Sequence, residues 1–354
     1  MTKNLSIEDG KHAVYGGCIL GGGGGGMISE GLEKVEQAFQ YGAPQLITAE
    51  ELEENDSVVC VSLVGAPSAK EMYLSENQLI DTVQRMQGEY KQPIKALMTN
   101  ENGAATTTNG WLQAAALNLP FLDAPCNGRA HPTGSMGALN LSEVEDYHSI
   151  QAFAGGKDEK AVSGIVTGSL RNVSDTMREL SVKAGGMIGV CRNPINVKYV
   201  KKHAAIGGIT QAIELGEILL SSLEGSERIK AVVKYLNGEI VHTGEVTEFS
   251  LEETGGFDVG EVIIDDLELT FWNEYMTAEM NEQRLGTFPD LIMTFDARTG
   301  MPIVSAEIEK GQKIAVISVP KSELTLSSTM SNKKLLQVIE PIINKKIIRK
   351  DVKR

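Results

Sequence analysis

The chain has 354 residues, enough for two domains, and its 42% hydrophobic content can build sizeable cores. Its formal net charge of −14 argues against a nucleic-acid backbone or an anionic membrane surface as partner. The four cysteines form no CxxC pair, the N-terminus lacks the apolar core of a signal peptide, and no apolar run approaches the about 20 residues of a membrane span. We therefore predict a cytoplasmic protein that binds neither nucleic acid nor membrane.

The N-terminal region carries a glycine-rich loop. Residues 12–20 are apolar and predict a short buried strand, followed by Gly21–Gly26 and then an amphipathic helix. A strand, a glycine loop and a helix together direct backbone amides towards an anion, so Gly23, Gly24 and Gly25 are candidate substrate-binding residues. A tight turn that permits close backbone packing is the alternative. No GKS or GKT follows and no acid is placed for a dinucleotide, which leaves nucleotide binding as a third, weaker interpretation.

Strands and helices alternate from there to residue 222. The predicted strands are 58–64, 94–98, 121–122 and one within 150–168; the predicted helices are 69–90, 108–118, 175–180 and 198–220. This alternation is typical of an α/β domain with a mostly parallel sheet, which we assign to residues 1–222.

The second half of the chain has a different pattern. Short β-rich runs lie at 231–236, 239–243, 245–250, 261–264, 268–271, 291–295 and 313–319, separated by glycine-containing turns. They predict an all-β domain over residues 223–354. Its basic C-terminal tail is either a solvated end or a contact for an acidic partner. The basic residues of the tail are Lys333, Lys334, Lys345, Lys346, Arg349, Lys350, Lys353 and Arg354.

The residues with the chemistry expected of an active site lie within 97–137. Glu101 follows a predicted strand and is a candidate general base. Cys126 lies three residues before Arg129, whose guanidinium can lower a thiol pKa or hold an oxyanion, and His131 precedes a proline that can orient its ring. Three of these residues also have a structural interpretation: Glu101 as a partner of loop amides, Cys126 as a core residue, and Arg129 in a buried ion pair with Asp123.

Further polar residues of this stretch are candidate substrate-binding groups, because a segment built only for packing rarely contains so many hydrogen-bonding side chains. These residues are Asn102, Asn109, Asp123 and Asn127. Cys126 and His131 can also ligate zinc, with a third ligand from Glu101, His12 or His242, so a Zn²⁺ cofactor is an open possibility.

Several stretches, in order over nearly the whole chain, resemble the S-methyl-thiohydantoin desulfurase family. They include GGCILGGGGGG at 16–26, VSLVGAPSAKE at 61–71, ENG at 101–103 and AAALNLPFLDAPCNGRAHP at 114–132. In the second half they include GGFDVGEVII at 255–264, LELTFWNEYMTAE at 267–279 and the run at 288–320. Cys126 and His131 stand where the family pattern has a glycine and an aromatic residue.

The resemblance implies an N-terminal α/β domain, a C-terminal β domain, and hydrolytic removal of sulfur from, or hydrolysis of, a hydantoin-like cyclic amide. In that reaction Cys126 would be the nucleophile or a metal ligand, Glu101 and His131 would share acid–base work, and Arg129 would hold the developing anion. The alternative is a non-catalytic ligand-binding or accessory subunit of a hydantoinase- or oxoprolinase-type enzyme. The expected partners are a small cyclic amide, further copies of the chain in a homo-oligomer, and a hydantoinase-type protein.

Overall fold

The computed structural model describes residues 2–65 and 71–348, which form two eight-stranded sheets with helices packed around them. The predicted two-part architecture is confirmed. The strands of the first sheet are β1 (Lys3–Asn4), β2 (Gln45–Ile47), β3 (Ser57–Gly65), β4 (Ile94–Thr99), β5 (Phe121–Leu122), β6 (His148–Gly155), β7 (Val162–Ser169) and β8 (Met187–Asn196). The helices are α1 (Ile7–Gly21), α2 (Ile28–Tyr41), α3 (Glu76–Glu89), α4 (Trp111–Leu117), α5 (Leu170–Lys183), α6 (Val197–His203), α7 (Gly208–Ser221), α8 (Ser226–Tyr235), α9 (Lys333–Gln337) and α10 (Glu340–Ile343).

The first sheet is mixed, which corrects the predicted mostly parallel sheet. Its order is β1-β2-β5-β4-β3-β8-β6-β7, and only β2–β5, β5–β4 and β4–β3 are parallel pairs. The strands β3, β8, β6 and β7 are joined by antiparallel pairs, as are β1 and β2. The prediction was wrong because it rested on the alternation of strands and helices along the chain. That alternation does not determine the direction in which β6, β7 and β8 pair.

Residues 12–20 form the second half of α1 and not a strand. Ser6 caps this helix, accepting a hydrogen bond from the backbone of Asp9, whose side chain bonds back to Ser6. Nearly every side chain of its second half is buried, so the sequence lacks the one-sided pattern of a surface helix. The helix packs against α7 at glycines of both helices, Gly16 and Gly216.

Three further predictions differ from the structure. The single strand predicted within 150–168 is two strands, β6 and β7, and the helix predicted at 198–220 is interrupted at 204–207 between α6 and α7. The run 231–236, read as a strand, is the end of α8, whose Ile229 and Val232 are buried. Apolar runs this short do not distinguish a buried helix from a strand.

The second sheet is antiparallel throughout. Its strands are β9 (Glu239–Thr254), β10 (Phe257–Ile264), β11 (Leu267–Trp272), β12 (Glu274–Met280), β13 (Gln283–Thr287), β14 (Leu291–Asp296), β15 (Pro302–Ile303) and β16 (Lys313–Val319), in the order β13-β12-β11-β10-β9-β16-β14-β15. The runs predicted at 239–243 and 245–250 belong to the one long strand β9, while β12 and β13 were not predicted. The two parts of the chain meet where α1 and the loop after it contact β12, β14 and the residues around Ser305.

The C-terminal tail is only partly described, since Arg349, Lys350, Lys353 and Arg354 lie outside the described residues. Lys345 of this tail forms ion pairs with Glu268 and Glu279. Among the described residues no single helix is long and apolar enough to cross a membrane; α6 and α7 satisfy the length and composition together, but the pair is bent by 50°.

The contact between α1 and α7 gives a test of the fold. A Cβ atom on Gly216 would lie 1.9 Å from the carbonyl oxygen of His12, so Gly216→Ala must separate the helices. We expect it to lower the free energy of unfolding by roughly 1–3 kcal/mol, the cost of overpacking. Gly88→Ala in α3 is the matched control, because a Cβ there meets nothing within 4 Å; it should stabilise by about 0.5–1 kcal/mol. Urea denaturation of both variants measures the difference, and equal effects would contradict the close packing.

Candidate active site

The glycine loop, residues Gly22–Gly26, lies between the two parts of the chain and is bonded to both. The carbonyl of Gly22 accepts from the backbone N–H of Tyr275 at 2.7 Å, and that of Gly23 accepts from the backbone N–H of Ser305 at 2.9 Å. The carbonyl of Gly25 accepts from the N–H of Ala105 in the first part. The predicted tight turn with close backbone packing describes this loop best, and the loop follows a helix where a strand had been expected.

Two ionisable side chains, those of Arg129 and Glu274, lie directly beneath this loop. A Cβ atom on Gly22 would lie 2.4 Å from Nη2 of Arg129, and a Cβ on Gly24 would lie 2.2 Å from Oε1 of Glu274. Gly22 also has a left-handed backbone, with φ 62°, which disfavours other residues. Glycine is therefore required here so that the backbone can approach the two side chains.

Arg129 is 1% exposed, and only the two N–H groups of Nη1 among its five donors are used. Its Nη1 donates to the carbonyls of Pro289 (3.1 Å) and Asp290, and the guanidinium stacks over the ring of Phe288. The Nε and Nη2 atoms have no hydrogen-bond partner among the described residues. Burial lowers the pKa of Arg129 to about 10, so it stays charged near neutral pH.

Glu101 and His131 form a close pair next to this guanidinium. Oε2 of Glu101 accepts from the backbone N–H of His131 at 3.3 Å and lies 3.1 Å from His131 Nε2. The pair is buried, with exposures of 6% and 7%.

Burial favours the neutral form of every acid and of the histidine at this site. It raises the pKa of Glu101 to about 8 and lowers the pKa of His131 to about 4, the latter with help from the positive charge of Arg192. It also raises the pKa of Glu274, and the nearby Glu101 adds to that effect while Arg129 opposes it. Near neutral pH the Glu101 carboxyl is therefore protonated and the His131 imidazole is neutral, beside the charged guanidinium of Arg129.

Glu274 is the residue that sequence reasoning missed. It is the first residue of β12, 2% exposed, and its Oε2 has no hydrogen-bond partner among the described residues. The turn at Asn273 and the bond from Tyr275 to the glycine loop hold it under Gly24. The signal was the only acid in the otherwise uncharged run Leu269–Ala278; sequence spacing alone could not place that run beside the 97–137 stretch.

Cys126 is close to Cys60 and turned towards a small cavity. That cavity of about 10 Å³ is lined by both cysteines and by the segment 137–141, and the groups beneath the glycine loop do not line it. Burial and the neighbouring Cys60 raise the pKa of the Cys126 thiol, whereas the bond from Cys126 and the charge of Arg192 lower the pKa of Cys60 to about 7. The expectation that Arg129 activates Cys126 finds no support in these contacts.

The other predicted substrate-binding side chains are occupied by protein groups. Asp123 accepts from the backbone N–H groups of Ile209 and Thr210 at the start of α7, and not from Arg129. The three amides brace loops. Their partners are Gly208 and Thr107 for Asn102, Lys34 and Asn100 for Asn109, and Ser327 and Arg129 for Asn127.

The predicted zinc site lacks a third ligand. Cys126 and His131 lie in the same loop, but no three His, Cys, Asp or Glu side chains of the described residues converge in a way that suits a metal ion. Zinc in this protein remains a prediction from sequence.

Comparison with known protein families is decisive for the identity of the chain. Residues 8–162 match the model of the S-Me-THD-like N-terminal domain, and residues 169–335 match the model of the S-Me-THD-like C-terminal domain. The chain belongs to the S-Me-THD-like family. Glu101, Arg129 and His131 lie in the N-terminal family domain and Glu274 in the C-terminal one, so both are needed to complete the site.

A crystal structure of a protein from Chromobacterium violaceum has the same fold. It superposes with a TM-score of 0.74 at 19% sequence identity, over 96% of each chain. This likeness supports the arrangement of the two sheets in the S-Me-THD-like fold and says nothing of a reaction. No functionally curated protein matches the chain.

The shifted pKa of Glu101 predicts how stability depends on pH. A carboxyl whose folded-state pKa is raised to about 8 stabilises the fold below its unfolded pKa of 4.5, and this contribution is lost as pH rises through about 8. His131 has the opposite effect. Its contribution to the free energy of unfolding increases with pH between its folded pKa of about 4 and its ordinary pKa of 6.5. Relative to Glu101→Gln, the free energy of unfolding of the wild type should therefore fall by up to about 1.4 kcal/mol per pH unit between pH 4.5 and about pH 8.

Urea denaturation near pH 5, 6.5 and 8 measures this difference. Glu239→Gln, at an exposed position of β9, is the matched control and should parallel the wild type at each pH. Parallel curves for Glu101→Gln and the wild type would show that Glu101 is not buried as a neutral acid.

Proposed function

We propose that the protein hydrolyses the sulfur substituent of an S-methyl-thiohydantoin-like ring, releasing methanethiol and the corresponding hydantoin. The observation that carries this proposal is the group of buried polar atoms without protein partners, Nε and Nη2 of Arg129 and Oε2 of Glu274, next to the Glu101–His131 pair. A buried polar atom without a partner costs free energy, so these atoms are best explained by a polar ligand. Membership of the S-Me-THD-like family supports a thiohydantoin as that ligand.

The reaction adds water to the ring carbon that carries the sulfur. A C–O bond forms there, and the electron pair of the C=N bond moves onto the ring nitrogen and the conjugated carbonyl oxygen. That pair then re-forms the C=N bond while the C–S bond breaks and its electrons leave with the sulfur. Transfer of the proton of the added oxygen to the ring nitrogen gives the hydantoin. Arg129 is charged and its Nε and Nη2 atoms have no protein partner, which suits it to hold the negative charge on that oxygen. The unpartnered Oε2 of Glu274 would accept a hydrogen bond from the ring N–H and orient the substrate.

Glu101 and His131 carry out the two proton transfers of this reaction. His131, with its lowered pKa, is an unprotonated imidazole that can take the proton of the attacking water. Glu101, with its raised pKa, is a carboxylic acid that can give a proton to the departing sulfur. This route needs no thiolate, in agreement with the raised pKa of Cys126.

Kinetics on an S-methyl-thiohydantoin, with methanethiol captured by a thiol reagent, tests these roles. Glu101→Gln and His131→Gln should each lower kcat by about 10²–10⁴-fold, the range for a lost acid or base. Arg129→Lys should lower it by about 10²–10³-fold, because the bidentate donor pair is lost. Glu239→Gln should leave turnover unchanged, and Cys126→Ala should retain most of it. Loss of turnover in Cys126→Ala with a folded protein would restore the thiolate mechanism.

The pH dependence provides a second measurement. Because His131 must be neutral and Glu101 protonated, kcat/KM should fall below about pH 4 and above about pH 8. In Glu101→Gln the decline at high pH should disappear from the residual activity. A rate that rises through the upper limit would mean that Glu101 acts as a base.

A further inference from the structure

The first sheet ends in a strand whose outer side is open to pairing. β7 is the outermost strand and pairs only with β6, without a β-bulge, over all of its eight residues. Within residues 2–65 and 71–348, no loop or other strand bonds to its backbone. Its sequence, VSGIVTGS, includes no charged residue and no proline. Short length, charge, proline, bulges and covering loops are what keep exposed sheet edges from pairing, and β7 has none of these.

The other edge strands of the two described sheets are protected in these ways. β1 and β15 have two residues each, and they include Lys3 and Pro302 respectively. β13 has five residues, and its Arg284 donates to the carbonyl of Lys346 in the C-terminal tail. Because three edges are protected and the longest one is not, we expect that the edge of β7 has a partner.

The side chains of β7 fix the strand in its own sheet and leave its outer side accessible. Val162 and Val166 pack on one face of the sheet, against the apolar cluster that includes residues of α5. Ile165 packs against the core on the opposite face. Ser163 and Thr167, which share the face of Ile165, are exposed. A further strand can therefore join β7 without displacing a core side chain.

The sequence of β7 is complementary to itself in the antiparallel direction. When a second copy is placed antiparallel with Ile165 as the centre, two hydroxyl residues face each other on one side of the sheet. On the other side each valine faces a glycine, so a branched side chain meets an open space. The facing pairs are Ser163–Thr167, Val162–Gly168 and Gly164–Val166.

The charges just outside the strand agree with this arrangement. In an antiparallel pair, the residues that precede β7 in one copy lie near those that follow it in the other. Asp158 and Glu159 precede the strand, are exposed, and form no ion pair within the described part of the chain, whereas Lys157 and Lys160 already contact a ring and a carboxylate of their own chain. Arg171 follows the strand and is 90% exposed. Acidic and basic ends thus meet, and the uncharged strand between them avoids the repulsion expected for a chain of net charge −14.

We infer that two copies of the chain join through β7, antiparallel and two-fold symmetric about Ile165, so that their first sheets form one continuous sheet. The same strand contributes from both copies, which is the self-complementary contact of a two-fold dimer. The outer backbone groups of each β7 bond to those of the other, and Ile165 contacts its own counterpart. The partner is a second copy of this chain because the pattern of β7 is complementary to itself. This inference is independent of the proposed reaction.

Cysteine cross-linking tests both the contact and its register. Ser163→Cys and Thr167→Cys place thiols at exposed positions, and the four native cysteines are buried. Opposite residues of an antiparallel pair have Cα atoms about 4.5–5.5 Å apart, which suits a disulfide, whereas two residues four positions apart along a strand are separated by roughly 13 Å. A mixture of the two variants should therefore form a cross-linked dimer on mild oxidation, and neither variant alone should do so. Equal yields in the mixture and in the single variants would overturn the inference.

Light scattering of the intact chain provides a second measurement. The wild type should be a dimer at micromolar concentration, and Thr167→Lys should raise the dissociation constant at least about 10-fold, because a lysine on an edge strand opposes pairing. Ser250→Lys, at an exposed position of β9, adds the same charge away from β7 and should leave the dimer unchanged. A monomeric wild type would overturn the inference, as would a dimer that Thr167→Lys leaves intact. If Thr167→Lys fails to fold, the cross-linking result decides.

Discussion

The approach of the glycine loop to buried charge is the constraint on which the rest of the site depends. Gly22 and Gly24 lie against Arg129 and Glu274, where any side chain would displace the charged groups. Because the loop carbonyls are bonded to Tyr275, Ser305 and Ala105, its position also fixes how the two sheets meet. The two parts of the chain thus meet where the side chains of Arg129 and Glu274 are removed from water. Desolvation there is what shifts the pKa of Glu101, His131 and Glu274 together.

Arg129 shows why this arrangement points to a ligand. Removing a guanidinium from water costs several kcal/mol, and hydrogen bonds to charged groups return about 1.5–3 kcal/mol each. The two backbone carbonyls and the face of Phe288 offset part of that cost, but Nε and Nη2 remain without partners. In the proposed reaction, a ring oxygen with developing negative charge would supply an acceptor for these N–H groups. The same cost of burial applies to Ser62 Oγ and Gln151 Oε1, which have no partner among the described residues.

Sequence reasoning selected three of the four residues that make up the candidate site, whereas its account of the fold around them was partly wrong. The stretch 97–137 supplies Glu101, Arg129 and His131, because several polar groups in an apolar context require partners. The same criterion also selected Asp123 and the three asparagines, since the residue types that stabilise a loop are the same as those that bind a ligand. Glu274 was missed because its proximity depends on the packing of the second sheet, which no local pattern records.

The elements that were misread share one physical cause. Patterns of apolar residues report burial on one face, and they predicted β3, β4, β5 and β16 well. In α1 burial extends around most of the helix, because Gly16 lets α7 approach on one side and other elements cover the rest, so the pattern resembles a strand. The direction in which β8 pairs with β3 likewise depends on how the chain connects the strands. The residue pattern of a single strand does not record that connection.

The charge of Arg192 distinguishes the Glu101–His131 pair from an ordinary buried pair. It lowers the pKa of both Glu101 and His131, opposing burial in the first case and adding to it in the second. Burial is the larger effect at Glu101, so this acid keeps its proton near neutral pH, while at His131 the two effects together keep the imidazole unprotonated. A proton donor and a proton acceptor can therefore coexist 3.1 Å apart at one pH, which is what the proposed reaction requires of them.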